Sequence, residues 1–268
     1  IIGRIYPFIG GFLIVITAAV CIACIPYLSL IPDIVLTPEG IDAAFTTHPE
    51  GQPIIPMLFI TIACGILSGF HATQSPIVAR TMRSELEGRA IFYGMMIAEG
   101  LIAMIWAAVT SILFKMQPDM LESLNGNQII VSAVSLTLPA VLASPSLIVF
   151  IFLAITSGDT ALRVLRTSLA DFLRIDQGTA KARILVSLPI VALISALLFW
   201  SNLEPTGYAI LWNYFSWFNQ LIASCALLLA TVYLVSKGKQ YLITVVPGAI
   251  ILFMCICYIV WVSPEHLA

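Results

Sequence analysis

The chain has 268 residues, 60% of them hydrophobic and 10% charged, with a mean hydropathy of +1.03, whereas a soluble domain carries roughly 25% charged residues. That balance excludes a soluble globular domain and describes a protein whose solvent is lipid. The net charge is −2, and the basic residues form short clusters rather than one extended patch, which argues against nucleic-acid binding.

Crossing about 30 Å of hydrocarbon at 1.5 Å per residue takes roughly 20 apolar residues, and about seven runs meet that requirement. They lie near 8–30, 54–79, 91–114, 145–165, 184–203, 208–235 and 243–262. The expected fold is all-α: a polytopic transmembrane helical bundle forming one membrane domain over residues 1–268. Lys and Arg favour cytoplasmic loops. Threading the spans with the N-terminus inside places Arg4, Arg80, Arg83, Arg89, Arg163, Arg166, Arg174, Lys181, Arg183, Lys237 and Lys239 on one side, with Lys115 alone opposite. The N-terminus is therefore expected in the cytoplasm and Ser263–Ala268 outside.

The first span contains Cys21-Ile-Ala-Cys24. With no nearby His or second pair, this spacing reads as packing by small apolar residues rather than as a metal or redox site. The loop 31–53 holds Asp33, Glu39, Asp42 and Glu50 without Lys or Arg, as an external loop can.

The second span carries the most informative residues. Ser68-Gly-Phe-His-Ala-Thr-Gln-Ser-Pro76 sets polar, helix-breaking residues near its midpoint, and irregular backbone at that depth is viable only where it faces protein or a wet cavity. Gly69 is expected to free the backbone and Pro76 to remove a donor, so that a second half-helix starts near Ser75 and Pro76. His71, Thr73, Gln74 and Ser75 would then offer donors and acceptors to a solute or ion. The plainer alternative is a proline kink whose polar groups satisfy one another.

Glu99 lies about eight residues into the third span. An ionisable group there costs roughly 3 kcal/mol and tends to face a cavity or partner, which makes it a candidate proton carrier; a structural hydrogen bond between spans is the alternative. Between Asn127 and Ala143 an apolar segment studded with Ser132, Ser135, Thr137 and Pro139 reads as an interfacial or re-entrant helix, with the fourth span starting at Pro145. Thr156-Ser-Gly-Asp-Thr160 then interrupts that span. Ser157, Asp159 and Thr160 are candidates for a second polar break lining the same cavity as His71, and Arg163 follows Asp159 by one helical turn as a local charge partner. The segment 167–183 mixes apolar and charged residues and reads as a surface-lying amphipathic helix on the cytoplasmic side, ended by Gly178. Trp212, Tyr214, Phe215, Trp217 and Phe218 read as an interfacial aromatic belt, and Asn213, Asn219 and Gln220 beside them could contact a solute but carry no site assignment.

Ser68–Pro76, then Ala79-Arg80, Glu87-Gly-Arg89, Phe92-Tyr-Gly-Met-Met-Ile-Ala-Glu-Gly100 and Ile105-Trp106, resemble the signature region of carbon starvation protein A. Thr156–Thr160 followed by Ala170-Asp-Phe-Leu173 and Ile175-Asp176 resembles that family's second characteristic stretch. The likeness is clear over Ile54–Gln177. It implies an inner-membrane uptake system for peptides or pyruvate, driven by a proton or other cation gradient and induced on nutrient limitation. It also implies membership of the amino acid, polyamine and organocation transporter group, with a leucine-transporter-like inverted repeat. Members of that family are longer, and the start Ile-Ile-Gly-Arg and the odd span number lead to the expectation that the first helices are missing here.

On this reading Glu99, His71 or Asp159 carries or senses the coupling proton, while Thr73, Gln74, Ser75 and Thr160 contact the solute. No cofactor, metal or catalytic residue is expected, and the partners are a small-molecule solute, a proton or cation, and the bilayer. Two rivals remain at this point: a non-transporting nutrient sensor using the same break, and an intramembrane hydrolase built on Ser68, Ser75 and His71, which lacks a GxSxG motif.

Overall fold

The computed structural model describes residues 2–31, 37–39, 42, 54–61, 67–118, 124, 126–204 and 206–266. The described elements are helical. They are α1 (Ile2–Cys24), continued by a 3₁₀ turn over Ile25–Leu30, α2 (Ile54–Thr61), α3 (Gly69–Thr81), α4 (Met95–Met116), α5 (Gly126–Thr137), α6 (Ala140–Phe172), α7 (Ala180–Leu203), α8 (Gly207–Ser236) and α9 (Leu242–His266). Six helical stretches among the described residues are long and apolar enough to cross a membrane. The span expected at 54–79 is not one of them among the described residues; its described parts are α2 and α3, of 8 and 13 residues, and the backbone is extended at Ser68, just before α3. Most of the loop expected at 31–53 lies outside the described residues.

Only 17–28% of the most apolar window of each crossing helix is buried, so most of its hydrophobic surface faces outward, as lipid requires. Burial of apolar groups does not drive helices together in such a solvent; close packing and interhelical hydrogen bonds do.

The chain divides into two compact units, Ile1–Ile34 with Arg89–Ala161, and Val35–Gly88 with Leu162–Ala268. In the first, Ile9, Ile16, Val20 and Cys24 line one face of α1 and pack with Val109, Ile112 and Leu113 of α4 and Ala133 and Val134 of α5. Trp106 of α4 stands edge-on to Phe150 of α6, with ring centroids 5.2 Å apart, and its Nε1 donates to Thr17 Oγ1 at 3.3 Å. The chain enters α4 through a π-helical turn, Arg89–Gly94.

In the second unit α8 is the hub, packing against α2, α3, α7 and α9. Ile60 of α2 and Ile251, Cys255 and Tyr258 of α9 form a core joined by Trp217 of α8. Trp217 therefore departs from the aromatic-belt expectation: its Nε1 donates to the Cys255 carbonyl at 3.1 Å. Trp212, Phe215 and Phe218 are exposed, as a belt would be.

The expectations for 127–183 need three corrections. The helix after Pro139 begins at Ala140, so Pro145 lies in its second turn rather than at its start. It then continues without interruption through Thr156–Thr160. Hydroxyls explain this tolerance: Thr156 donates to the Leu153 carbonyl at 2.8 Å and Thr160 to the Thr156 carbonyl at 2.9 Å, so the polar run satisfies itself within the helix. Finally, the helix ends at Phe172 and is closed by a turn at Arg174, not at Gly178. Arg174 takes φ 56°, with Ile175 N bonded to the Ala170 carbonyl at 2.8 Å and Arg174 N to the Asp171 carbonyl at 3.2 Å, which is the Schellman arrangement with an arginine where glycine is usual. Gly178 lies outside a helix and donates its N–H to Asp176 Oδ1 at 2.9 Å.

A left-handed residue other than glycine costs about 1–2 kcal/mol. Arg174→Gly is therefore expected to raise stability by about 1 kcal/mol, read as a higher denaturant midpoint in detergent, and Arg174→Val to lower it.

Candidate functional site

Immediately before α3 the second span is non-helical at Leu67 and Ser68, and the Ser68 backbone is extended (φ −129°, ψ 136°). Ser68 is the N-cap of α3. Its Oγ accepts the Phe70 N–H at 3.1 Å and donates to Oδ1 of Asn219 on α8 at 3.0 Å, and the Phe70 N–H also reaches that Oδ1 at 3.0 Å. The start of α3 is thus closed by a triangle of hydrogen bonds shared with a neighbouring helix. Ser68 and Asn219 are both buried.

This position overturns the expectation that the second half-helix starts near Ser75 and Pro76. Pro76 lies inside α3. The N-cap wins because Ser68 and Asn219 supply acceptors that a start at Ser75 would lack. Gly69 also serves differently from the expected freeing of the backbone. It is helical, and a Cβ on it would stand 2.6 Å from the Asn219 carbonyl oxygen and 2.7 Å from Ile222 Cβ, so glycine is what lets α3 lie directly on α8.

His71, Gln74 and Ser75 are half-buried and Thr73 is exposed. Thr73 Oγ1 donates to the Phe70 carbonyl at 2.8 Å, and Ser75 Oγ to the His71 carbonyl at 2.7 Å. The single hydroxyl proton of Ser75 therefore goes to backbone and not to the His71 imidazole, which is not the pairing a serine nucleophile needs. Pro76 has no N–H to give the Ala72 carbonyl one turn back. Gln74 Nε2 is buried and finds no acceptor among the described residues.

On α8 the buried face is polar: Ser216, Asn219, Gln220 and Ser224, with Ala223 among them. Gln220 and Ser224 are both 0% exposed, and Gln220 Oε1, Gln220 Nε2 and Ser224 Oγ have no hydrogen-bond partner among the described residues. An unsatisfied buried group costs about 1–3 kcal/mol and demands an explanation such as water, an ion or a ligand. Helix α9 comes close to this face at Gly248, where a Cβ would lie 3.1 Å from Leu227 Cβ. Ser224 is the residue sequence reading missed, and Gln220 was named there without an assignment. The signal was present as polar or small residues at 216, 219, 220, 223 and 224, one face at helical spacing, inside a crossing helix.

The other candidates fall elsewhere. Ser157 and Arg163 are exposed on α6, Asp159 and Thr160 half-buried. The Tyr6 hydroxyl of α1 donates to the Thr156 carbonyl at 3.1 Å and lies 3.2 Å from Thr160 Oγ1, an unanticipated partner for that motif. Glu99 is exposed on α4 rather than buried. Thr156–Thr160 and Glu99 belong to the first unit and His71–Ser75 to the second.

A family profile described as carbon starvation protein CstA matches residues 7–145 and 126–258. The chain belongs to the carbon starvation protein CstA family. Among its relatives, an uncharacterized membrane protein of Haemophilus influenzae is 42% identical over 120 residues, covering 41% of this chain and 32% of that protein. A peptide transporter CstA of Helicobacter pylori is 25% identical over 264 residues, covering 74% of this chain and 38% of the relative. The pyruvate/proton symporter BtsT of Escherichia coli is 34% identical over 99 residues, covering 34% of this chain and 13% of the symporter. This member of the CstA family therefore spans only about a third of the length of the first of these relatives and of the Helicobacter transporter. No solved structure matches it.

If the Ser68–Asn219 junction holds the broken span in place, Gly69→Ala is expected to destabilise the protein by about 1–3 kcal/mol through overpacking. Asn219→Ala should cost about as much by stranding the Ser68 and Phe70 donors, with Asn219→Asp, which keeps an acceptor, costing less. Thermal unfolding of the three variants in detergent measures the order.

Proposed function

We propose that the chain is part of a secondary active transporter that takes up small carboxylate-bearing nutrients, peptides or pyruvate, using a proton or cation gradient. One observation carries this reading. A crossing is interrupted at Ser68 and its second half-helix lies on a neighbour, α8, while Gln74 on the one and Gln220 and Ser224 on the other hold buried polar atoms with nothing in the described chain to satisfy them. Discontinuous helices are how many transporters place binding groups at mid-membrane. The solute class is suggested by the peptide transporter and pyruvate/proton symporter names of the relatives. The clustering of basic residues supports an inner-membrane orientation with the start of α1 in the cytoplasm.

In this mechanism Gln74, Gln220 and Ser224 contact the solute or its coupling ion, and one group of helices rocks against another to expose them alternately. Gln74 and Gln220 each offer both a donor and an acceptor, and the Ser224 hydroxyl does the same. That set can replace the hydration of a carboxylate or of a small cation. Glu99, His71 or Asp159 carries or senses the proton. A carboxylate at membrane depth costs roughly 3 kcal/mol unless a cavity or polar neighbour receives it.

Gln220→Leu separates a binding role from a packing role. Removing a buried amide with no partner is expected to leave stability unchanged or raise it by about 1 kcal/mol. In proteoliposomes containing the full-length protein, solute uptake and counterflow should nevertheless fall at least about tenfold, a loss equivalent to about 1.4 kcal/mol of binding or transition-state stabilisation. Retained uptake would remove Gln220 from the pathway, and binding without counterflow in the parent protein would mark a sensor instead. In the same assay Glu99→Gln is expected to abolish proton-driven accumulation while leaving counterflow, which needs no gradient; unchanged accumulation would exclude Glu99.

A further inference from the structure

We propose that the basic end of α6 and α7 binds an anionic phospholipid, its phosphate held by Arg166 and Arg183 and one acyl chain lying along Ile184, Leu188 and Val191. This inference is independent of the solute site and of the direction of transport.

The two arginines and three apolar residues line one groove of about 440 Å³, within the roughly 300–1,000 Å³ typical of small-ligand sites. The groove is amphipathic in the order a lipid requires. Ile184, Leu188 and Val191 recur at helical spacing on one face of α7 and are 61%, 66% and 46% exposed, forming an apolar track that starts beside Arg183. The arginines lie at the head of that track. Arg166 is half-buried, and its Nε is enclosed without any acceptor among the described residues. The recorded hydrogen bond of the Arg183 guanidinium is a long one, 3.5 Å from its Nε to the Thr179 carbonyl. A buried guanidinium nitrogen without an acceptor calls for an anion, and the planar fork of arginine matches phosphate oxygens better than lysine does.

The local fold also fixes the two charges at one level. Helix α6, at 33 residues, is about 50 Å long, against roughly 30 Å of hydrocarbon, so the part carrying Arg166 reaches the headgroup region. The Schellman turn at Arg174 reverses the chain at once. Gln177 Nε2 then donates to the Arg166 carbonyl at 3.2 Å, tying the linker back onto α6, and Arg183 sits in the first turn of α7. Basic clefts at the ends of crossing helices are where anionic headgroups bind. Arg163, Arg174 and Lys181 add positive charge within the same stretch of sequence.

The test is native mass spectrometry of the full chain, released from micelles doped with phosphatidylglycerol or with phosphatidylcholine. Phosphatidylglycerol is expected to be retained preferentially by the parent protein. Arg166→Gln and Arg183→Gln should each weaken retention about fivefold, and the double variant about 25-fold, while Lys115→Gln, the same charge loss on α4, leaves it unchanged. Arg166→Lys with Arg183→Lys keeps the charge and should retain an intermediate affinity, a readout that survives if the glutamine variants fold poorly. Leu188→Asn should weaken lipid retention, and millimolar inorganic phosphate should fail to displace the lipid. Equal retention of the two lipids, an unchanged double variant, or displacement by inorganic phosphate with no effect of Leu188→Asn would each overturn the proposal, the last by marking a free-anion site.

Discussion

The second unit depends on one constraint: a helix that stops inside a membrane must find acceptors for its first amide protons, and lipid offers none. Here a serine on the broken chain and an asparagine on α8 supply them together. Ser68 Oγ bridges the Phe70 N–H and Asn219 Oδ1, so the break is stabilised only where α3 meets α8. The hydrogen bonds and the close approach at Gly69 are therefore parts of the same requirement. A larger residue at 69 would separate the helices and expose the Phe70 donor to an environment without replacements, which is why a steric change and a polar change at this junction act on the same quantity.

The crossing segments were legible in the sequence because their signal is local and large. Twenty apolar residues in lipid have one economical conformation, and an interruption beginning at Ser68 was visible for the same reason. Where the helix restarts was not. Pro76 and Ser75 are conspicuous breakers by type, but a proline is tolerated where nearby hydroxyls can serve the carbonyls around it, as Thr73 and Ser75 do. The decisive group, Asn219, is about 150 residues away in sequence, and no local pattern announces a pairing over that separation. The Thr156–Thr160 run misled in the opposite direction. Polar residues in a span suggest a break, yet Thr156 and Thr160 return their protons to their own helix, so composition alone cannot distinguish a broken helix from a self-satisfied one.

Arg174 illustrates a further limit. Glycine is the usual signal for a left-handed helix end, and Gly178 was the local glycine. The chain instead turns at Arg174, and Ile175, the residue after the turn, packs against the core cluster of Ala170, Val186 and Ile190. Tertiary packing of one isoleucine offsets the backbone cost of a non-glycine residue and shifts the helix end by several positions.

Along α8 the polar side chains divide into those already spent and those still open. Asn219 is engaged with α3. Trp217 donates to α9, and nearer the other end Thr231 meets Thr244 of α9 at 2.8 Å. Gln220 and Ser224 lie between these anchored points, fully buried and without partners among the described residues. In water such a pair would be a modest defect; in a membrane it is a standing demand for a polar occupant, held by helices that are fixed on either side of it. A purely structural face would be expected to spend these groups or replace them with alanine, as at Ala223. Under the proposed transport function, a face that takes up and releases something polar has to leave them open, while the anchored residues around Gln220 keep the helix in place.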